Sequence, residues 1–138
     1  MAFLPVNKEE GHLIGLPMGN AGSTATYTVG QALKISSGYY VAATVGQNLD
    51  VEAVCMEAGT VTTSGTLLKC IPTRGVKWIA DCTTAPAQTD VGTYVDLLDA
   101  NTLDQTASTD DLFYIEDILG PTANKKVVGY FSHGVPNS

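Results

Sequence analysis

From Tyr27 onward, apolar and polar positions alternate with a period of two, in short runs separated by turn residues. In Gln31–Ser36, Leu33 and Ile35 alternate with Ala32, Lys34 and Ser36, which predicts a half-buried strand. Ser36-Ser37-Gly38 reads as a turn, and the β-branched and aromatic stretch Tyr39–Val45 pairs back on that strand as a hairpin. Val51–Glu57 is the next strand, ended by Ala58-Gly59, and Thr60–Thr63 and Thr66–Ile71 flank Ser64-Gly65 as a second hairpin. In Val76–Asp81, Val76, Trp78 and Ala80 share one face while Lys77, Ile79 and Asp81 take the other. Thr83–Asp90, with Pro86, reads as the longest internal loop. Thr93–Leu98, Leu112–Ile118 and Lys125–Ser132 complete a set of about eight short strands at spacings near ten residues. No segment has the period of a helix of three turns. The fold predicted is all-β, a small antiparallel barrel or sandwich.

The first 26 residues carry a different pattern. Phe3, Leu4, Val6, Leu13, Ile14, Leu16 and Met18 are apolar, but Pro5, Gly11, Gly15, Pro17, Gly19 and Gly22 interrupt any regular period. Such a segment either lies over its own domain as a coil or reaches a neighbouring subunit and orders there. The expectation is an extended N-terminal arm over residues 1–26 and a single β domain over 27–138, with those seven apolar residues as the partner-binding set. Glu9 and Glu10 interrupt the apolar run a signal peptide needs, so no targeting segment is expected. No run approaches the ~20 apolar residues of a membrane span.

Composition agrees with strands and turns: 17 Thr and 14 Gly stand among the 138 residues. Seven Lys+Arg against fourteen Asp+Glu give a formal net charge of −7, which argues against nucleic acid as the partner. The imbalance is local. No Lys or Arg lies between Lys77 and Lys125, whereas Asp81, Asp90, Asp96, Asp99, Asp104, Asp110, Asp111, Glu116 and Asp117 all do. This segment reads as a solvated acidic face or as a contact for a basic partner surface. Asp96, Asp99 and Asp104 lack the spacing and glycine of a calcium loop. Cys55, Cys70 and Cys82 are odd in number and widely spaced, which reads as buried free thiols made in a reducing cytoplasm.

Catalytic chemistry has few candidates. His12 and His133 have no Cys, Asp or His at a metal-ligand spacing, and no G-x-S-x-G elbow or G-x-G-x-x-G loop occurs. Asp110/Asp111 and Glu116/Asp117 are adjacent pairs, and neighbours on a strand point to opposite faces. No enzyme, cofactor or metal is expected. Aromatic pairs such as Tyr39/Tyr40 and Phe113/Tyr114 each place one ring in a core and one outside, with Tyr40 and Tyr114 as the expected outward members. Outward tyrosines suit a sugar or a protein neighbour.

The strand–turn cadence of residues 27–133 also resembles a known family. TYTVGQALKIS resembles the opening strand pair of small phage head proteins. GTYVDLLDANTLDQTASTDDLFYIEDI followed by KKVVGYFSH is similar to the closing part of tailed-bacteriophage capsid decoration (cement) proteins. That resemblance implies a non-enzymatic virion protein, assembled in the host cytoplasm, that binds the major capsid protein on the outer surface of an expanded shell. It also implies self-association, with a homotrimer favoured, and no contact with nucleic acid or membrane. The alternative is a β-rich carbohydrate- or receptor-binding module of a phage tail or surface structure.

Overall fold

The protein's structure is a computed structural model that describes residues 3–6, 12–20, 22, 24–43, 50–108 and 111–132. Thirteen short strands follow one another among these residues: β1 Phe3–Pro5, β2 Ile14–Met18, β3 Ala25–Tyr27, β4 Gln31–Ser36, β5 Tyr39–Ala42, β6 Ala53–Cys55, β7 Gly59–Val61, β8 Thr66–Pro72, β9 Trp78–Asp81, β10 Tyr94–Asp99, β11 Thr102–Asp104, β12 Phe113–Ile118 and β13 Lys126–Phe131. Two single 3₁₀ turns, Gln88–Asp90 and Thr122–Asn124, are the only helical pieces described. The all-β expectation holds: strands β2-β5-β4-β6-β8 close a barrel, and β1-β9-β13-β12-β10-β11 form a six-stranded antiparallel sheet curved into a half-barrel. Thr44 and Val45, predicted to end β5, lie outside the described residues, as do Asp110 and His133.

The β4–β5 hairpin forms as predicted because its turn supplies two positive φ angles, Ser37 at 52° and Gly38 at 85°. That pair of values is what a two-residue hairpin turn needs to match strand twist. The second predicted hairpin does not form. β7 pairs with β3, while β8 runs between β2 and β6. The chain turns a corner at Ser64-Gly65, where the Gly65 N–H donates to the Met18 carbonyl (2.7 Å) and the Thr66 hydroxyl to Thr63 (2.7 Å). The corner sends Val61 and Leu68 into one barrel core from two different ribbons.

Alternation along β4, β6 and β8 is deceptive in a useful way. Leu33, Ala53, Cys55, Leu68 and Cys70 point into the barrel with Met18, Tyr27 and Val61. Their neighbours Ala32, Val54 and Ile71 face the second core, shared with the six-stranded sheet. Ala32 and Leu33 of β4, the whole of β6, and Cys70 and Ile71 of β8 therefore form a wall buried on both sides. The second core is aromatic: Phe131 lies 4.9 Å from Phe3, 5.2 Å from Phe113 and 6.0 Å from Trp78, measured between ring centres. Such tilted and edge-on contacts add to the burial of the rings.

One irregularity shapes the sheet. The β12–β13 register shifts between Ile115 and Asp117, leaving Glu116 as the extra residue of a bulge. Opposite the bulge stands Gly129, where a Cβ would lie 1.8 Å from the Tyr114 carbonyl oxygen. No other residue fits there, so the Val-Gly-Tyr near the end of the sequence has a local steric origin.

The free-arm expectation is corrected. β1 is the edge strand of the six-stranded sheet, with Phe3 opposite Ala80 and Pro5 opposite Trp78. β2 is a stave of the barrel, with Ile14 to Met18 opposite Cys70 to Thr66. Prolines and glycines rule out a helix and a long strand, but three- and five-residue strands tolerate them, and Pro5 occupies an edge. The leading apolar residues thus contribute to both cores, and a boundary at residue 26 cuts through both sheets.

Candidate functional site

The seven apolar residues predicted to bind a partner are divided by the fold. Phe3 and Met18 are fully buried, in different cores, and Leu4 and Leu16 are half-buried. Val6, Leu13 and Ile14 remain 46%, 56% and 43% exposed. Ile14 opens β2 and Leu13 precedes it, whereas Val6 follows β1 on the other sheet, where its N–H donates to the Lys77 carbonyl (2.9 Å). Sequence reasoning missed Leu67, which at 64% is more exposed than any of them. It stands opposite Pro17, and a Cβ on Gly15 would touch its side chain at 3.6 Å. The available signal was parity: Leu67 shares its face of β8 with Lys69. Ile14 on β2 and Leu67 on β8 therefore belong to one two-stranded ribbon of the barrel, with Leu13 just before it; Leu67 stands opposite Pro17 on the outer face, and Ile14 stands opposite Cys70 on the other.

A groove of about 610 Å³ opens on the outer side of the β4–β5 hairpin. Asn20, Thr26, Lys34, Ser36, Tyr39 and Ser64 line it with hydroxyls, an amide, one ammonium and one ring. Tyr39 is the exposed member of its pair, whereas Tyr40 packs against the barrel core, which reverses the expectation for that pair. The groove has a firm floor. The Tyr27 hydroxyl donates to the carbonyl of Gly19 (2.5 Å) and contacts that of Tyr40 (3.2 Å), and Gly19 N–H bonds Tyr40 (3.0 Å). These bonds tie β2 to β5, which otherwise share the single parallel register pair Met18/Tyr40. Burial pushes the Tyr27 and Tyr40 hydroxyls above their ordinary pKa, so both stay protonated, Tyr27 as a donor.

On the outer face of the second sheet, Tyr94, Tyr114 and Tyr130 stand in register across three strands. Tyr94 and Tyr114 are 5.2 Å apart, and the Lys77 ammonium lies 5.7 Å from the Tyr130 ring centre. Lys77 also pairs with Glu116 at 2.7 Å, and this bond holds its pKa above the ordinary value. Tyr114 is half-buried within this stripe.

Much of the acidic segment is occupied in building turns. Asp90 accepts from Ala87 N–H (2.8 Å), Asp99 from Asn101 N–H (2.8 Å) and Asp104 from both Thr106 N–H (3.0 Å) and its hydroxyl (2.6 Å). Asp96, only 6% exposed, accepts from Asp111 N–H at 2.9 Å. Asp81 pairs with Lys126 at 2.5 Å. Asp117 folds back onto Ile118 N–H (2.8 Å) while Glu116 reaches Lys77, so the two carboxylates do not converge. Among the described residues no three His, Cys, Asp or Glu side chains are placed to hold a metal ion. His12 is exposed.

All three cysteines are free and buried. Cys55 and Cys70 are register partners on β6 and β8 in the barrel core, and Cys82 belongs to the other core. The interaction with Cys70 lowers the pKa of the Cys55 thiol, and the same interaction, with burial, raises that of Cys70. Burial, with Asp90 and Asp81 nearby, pushes Cys82 up to about 12. No protein-family model, curated protein or solved structure matches this chain.

Proposed function

We propose that this protein is a structural virion component that binds the outer surface of an assembled phage capsid and stabilises it. The observation that carries the proposal is the pair of exposed leucines at the β2–β8 ribbon, Leu67 on β8 and Leu13 just before β2. Side chains of this size gain about 1.5–3 kcal/mol each when moved from water to an apolar contact, and another molecule could supply one. The ribbon is already ordered by pairing, so docking does not incur the ~1–2 kcal/mol per residue of ordering a free arm. Weak single contacts then become strong attachment through many copies on a lattice of major capsid protein, and through association of copies with one another, a trimer being favoured. A body of charge −7 repels packaged nucleic acid. Supporting this reading further, the carboxylates and thiols described above serve turns, ion pairs and cores.

The test is co-sedimentation of the protein with expanded shells made from the products of its genomic neighbours. Wild type should pellet with shells, and Leu13→Ser/Leu67→Ser should bind at least tenfold more weakly with unchanged circular dichroism. Undiminished binding by that folded variant excludes the ribbon as the docking site, and absence of wild-type binding excludes the function.

A second reading, a carbohydrate- or receptor-binding module of a phage tail or surface structure, is favoured by the groove at Tyr39, which sets a ring beside hydroxyls and an ammonium. Trp78 is fully buried in the sheet core, so indole fluorescence is a poor reporter. Calorimetric titration with oligosaccharides tests it, heat being expected from wild type and lost in Tyr39→Ala.

A further inference from the structure

We propose that Cys55 and Cys70 are a redox-responsive pair that closes into a cross-strand disulfide and locks β6 to β8 inside the barrel. The two residues face each other in an antiparallel ladder, both fully buried in one core. Their register is of the closer kind. The Met56 N–H donates to the Lys69 carbonyl at 2.8 Å, so the hydrogen bonds flank the Cys55/Cys70 pair instead of joining it. In such non-hydrogen-bonded pairs the Cα atoms are about 4.5 Å apart and the side chains meet on one face. This lies within the Cα separation a disulfide spans, roughly 4.4–6.8 Å, so closure needs side-chain rotation without moving strands. Each thiol donates to a backbone carbonyl, Cys55 to Glu57 (3.1 Å) and Cys70 to Leu68 (3.5 Å), and the neighbouring Cys70 favours the thiolate on Cys55. Cys82, in the other core, is an internal control with no such partner.

The oxidant is a low-molecular-weight disulfide. The Cys55 thiolate attacks one of its sulfurs, its S–S bond breaks, and a mixed disulfide forms as one small thiolate leaves and takes up a proton. Cys70 then loses its proton and attacks the Cys55 sulfur, expelling the second small thiolate, which is protonated in turn. Two protons and two electrons pass from the protein to the small disulfide, giving two small thiols. Because both sulfurs are fully buried, the first attack waits on opening of the barrel. The chain is therefore reduced when made in a reducing compartment and is stapled after transfer to an oxidising one.

The experiment uses the full chain incubated in native buffer with oxidised glutathione, then non-reducing peptide mapping and a thermal melt. The expected result is a Cys55–Cys70 bridge with Cys82 still alkylatable, and a melting temperature raised by roughly 10 °C for a loop of this length. Dithiothreitol should reverse both. Cys82→Ala should keep the bridge and the shift, and Cys55→Ala should lose them. Cys55 and Cys70 that remain alkylatable at equilibrium overturn the proposal, as does a bridge that leaves the melting temperature unchanged or lowers it. Should Cys55→Ala fail to fold, wild type and Cys82→Ala decide between these outcomes.

Discussion

In the five-stranded barrel the buried side chains are small or flexible, Leu33, Ala53, Val61, Cys55, Cys70, Leu68 and Met18 around the ring of Tyr27, with Tyr40 packed against them. The six-stranded sheet instead buries Phe3, Trp78, Phe113 and Phe131 against one another. The difference follows from enclosure. A closed barrel of few strands has little interior volume, so it excludes large rings and gains correspondingly less from burial. Its closure leans on polar ties, above all the Tyr27 hydroxyl at the β2–β5 seam. The open half-barrel has room for aromatics because a second surface, the shared wall of β4, β6 and β8, covers them. One region is held by burial and the other by burial plus a few well-placed hydrogen bonds.

Substitutions can break that contrast. Phe3→Ala should be the most damaging, costing about 4 kcal/mol in urea denaturation, because it empties a ring-sized space in the sheet core. For the same reason, deleting residues 2–20 should abolish folding, not merely remove an appendage. Gly129→Ala should cost about 3 kcal/mol, since the new methyl meets the Tyr114 carbonyl and the bulge must open. Tyr27→Phe should cost about 1.5 kcal/mol, leaving the Gly19 carbonyl without its buried donor. If the shared wall couples the two regions, each variant melts in one transition by calorimetry. Separate transitions, with Phe3→Ala moving one and Tyr27→Phe the other, would show two independent units.

Alkaline pH sharpens the comparison most gently. Cys82, in the sheet core, has its pKa pushed from 9.0 to about 12, so the folded chain keeps a proton that the unfolded chain releases. The Cys82 contribution to stability is constant below pH 9, then falls by about 1.4 kcal/mol per pH unit between the two values. Urea midpoints measured at pH 8, 9 and 10 should show the fall, and Cys82→Ala should reduce its slope.

The period of two, with turn residues between runs, was enough to read the all-β class and the β4–β5 hairpin. Trp78, Ala80 and Val76 were legible as one buried face because alternation and burial coincide there. Neighbouring Ala32 and Leu33 were not, because both faces of β4 are covered at that point, and alternation carries no information about which core a residue enters. The Thr60–Ile71 hairpin failed for a related reason: a good turn states that the chain reverses, not which strand will lie beside it. Of the candidate interaction residues, Leu13 and Ile14 were legible as apolar and irregularly placed, while Leu67 was hidden inside a well-formed strand.

Local sequence by itself thus determined that the chain is built of short strands, that no long helix forms among the described residues, and that Gly38 completes a tight turn; it did not mark β1, β2, β3 or β11. These depend on backbone sterics and side-chain period within a few residues. Tertiary structure alone decided that Phe3 and Met18 belong to different cores, that Cys55 faces Cys70, and that Glu116 bulges opposite Gly129. Each of those depends on which distant strands pair and in what register, and register is set by the fit of whole faces against one another.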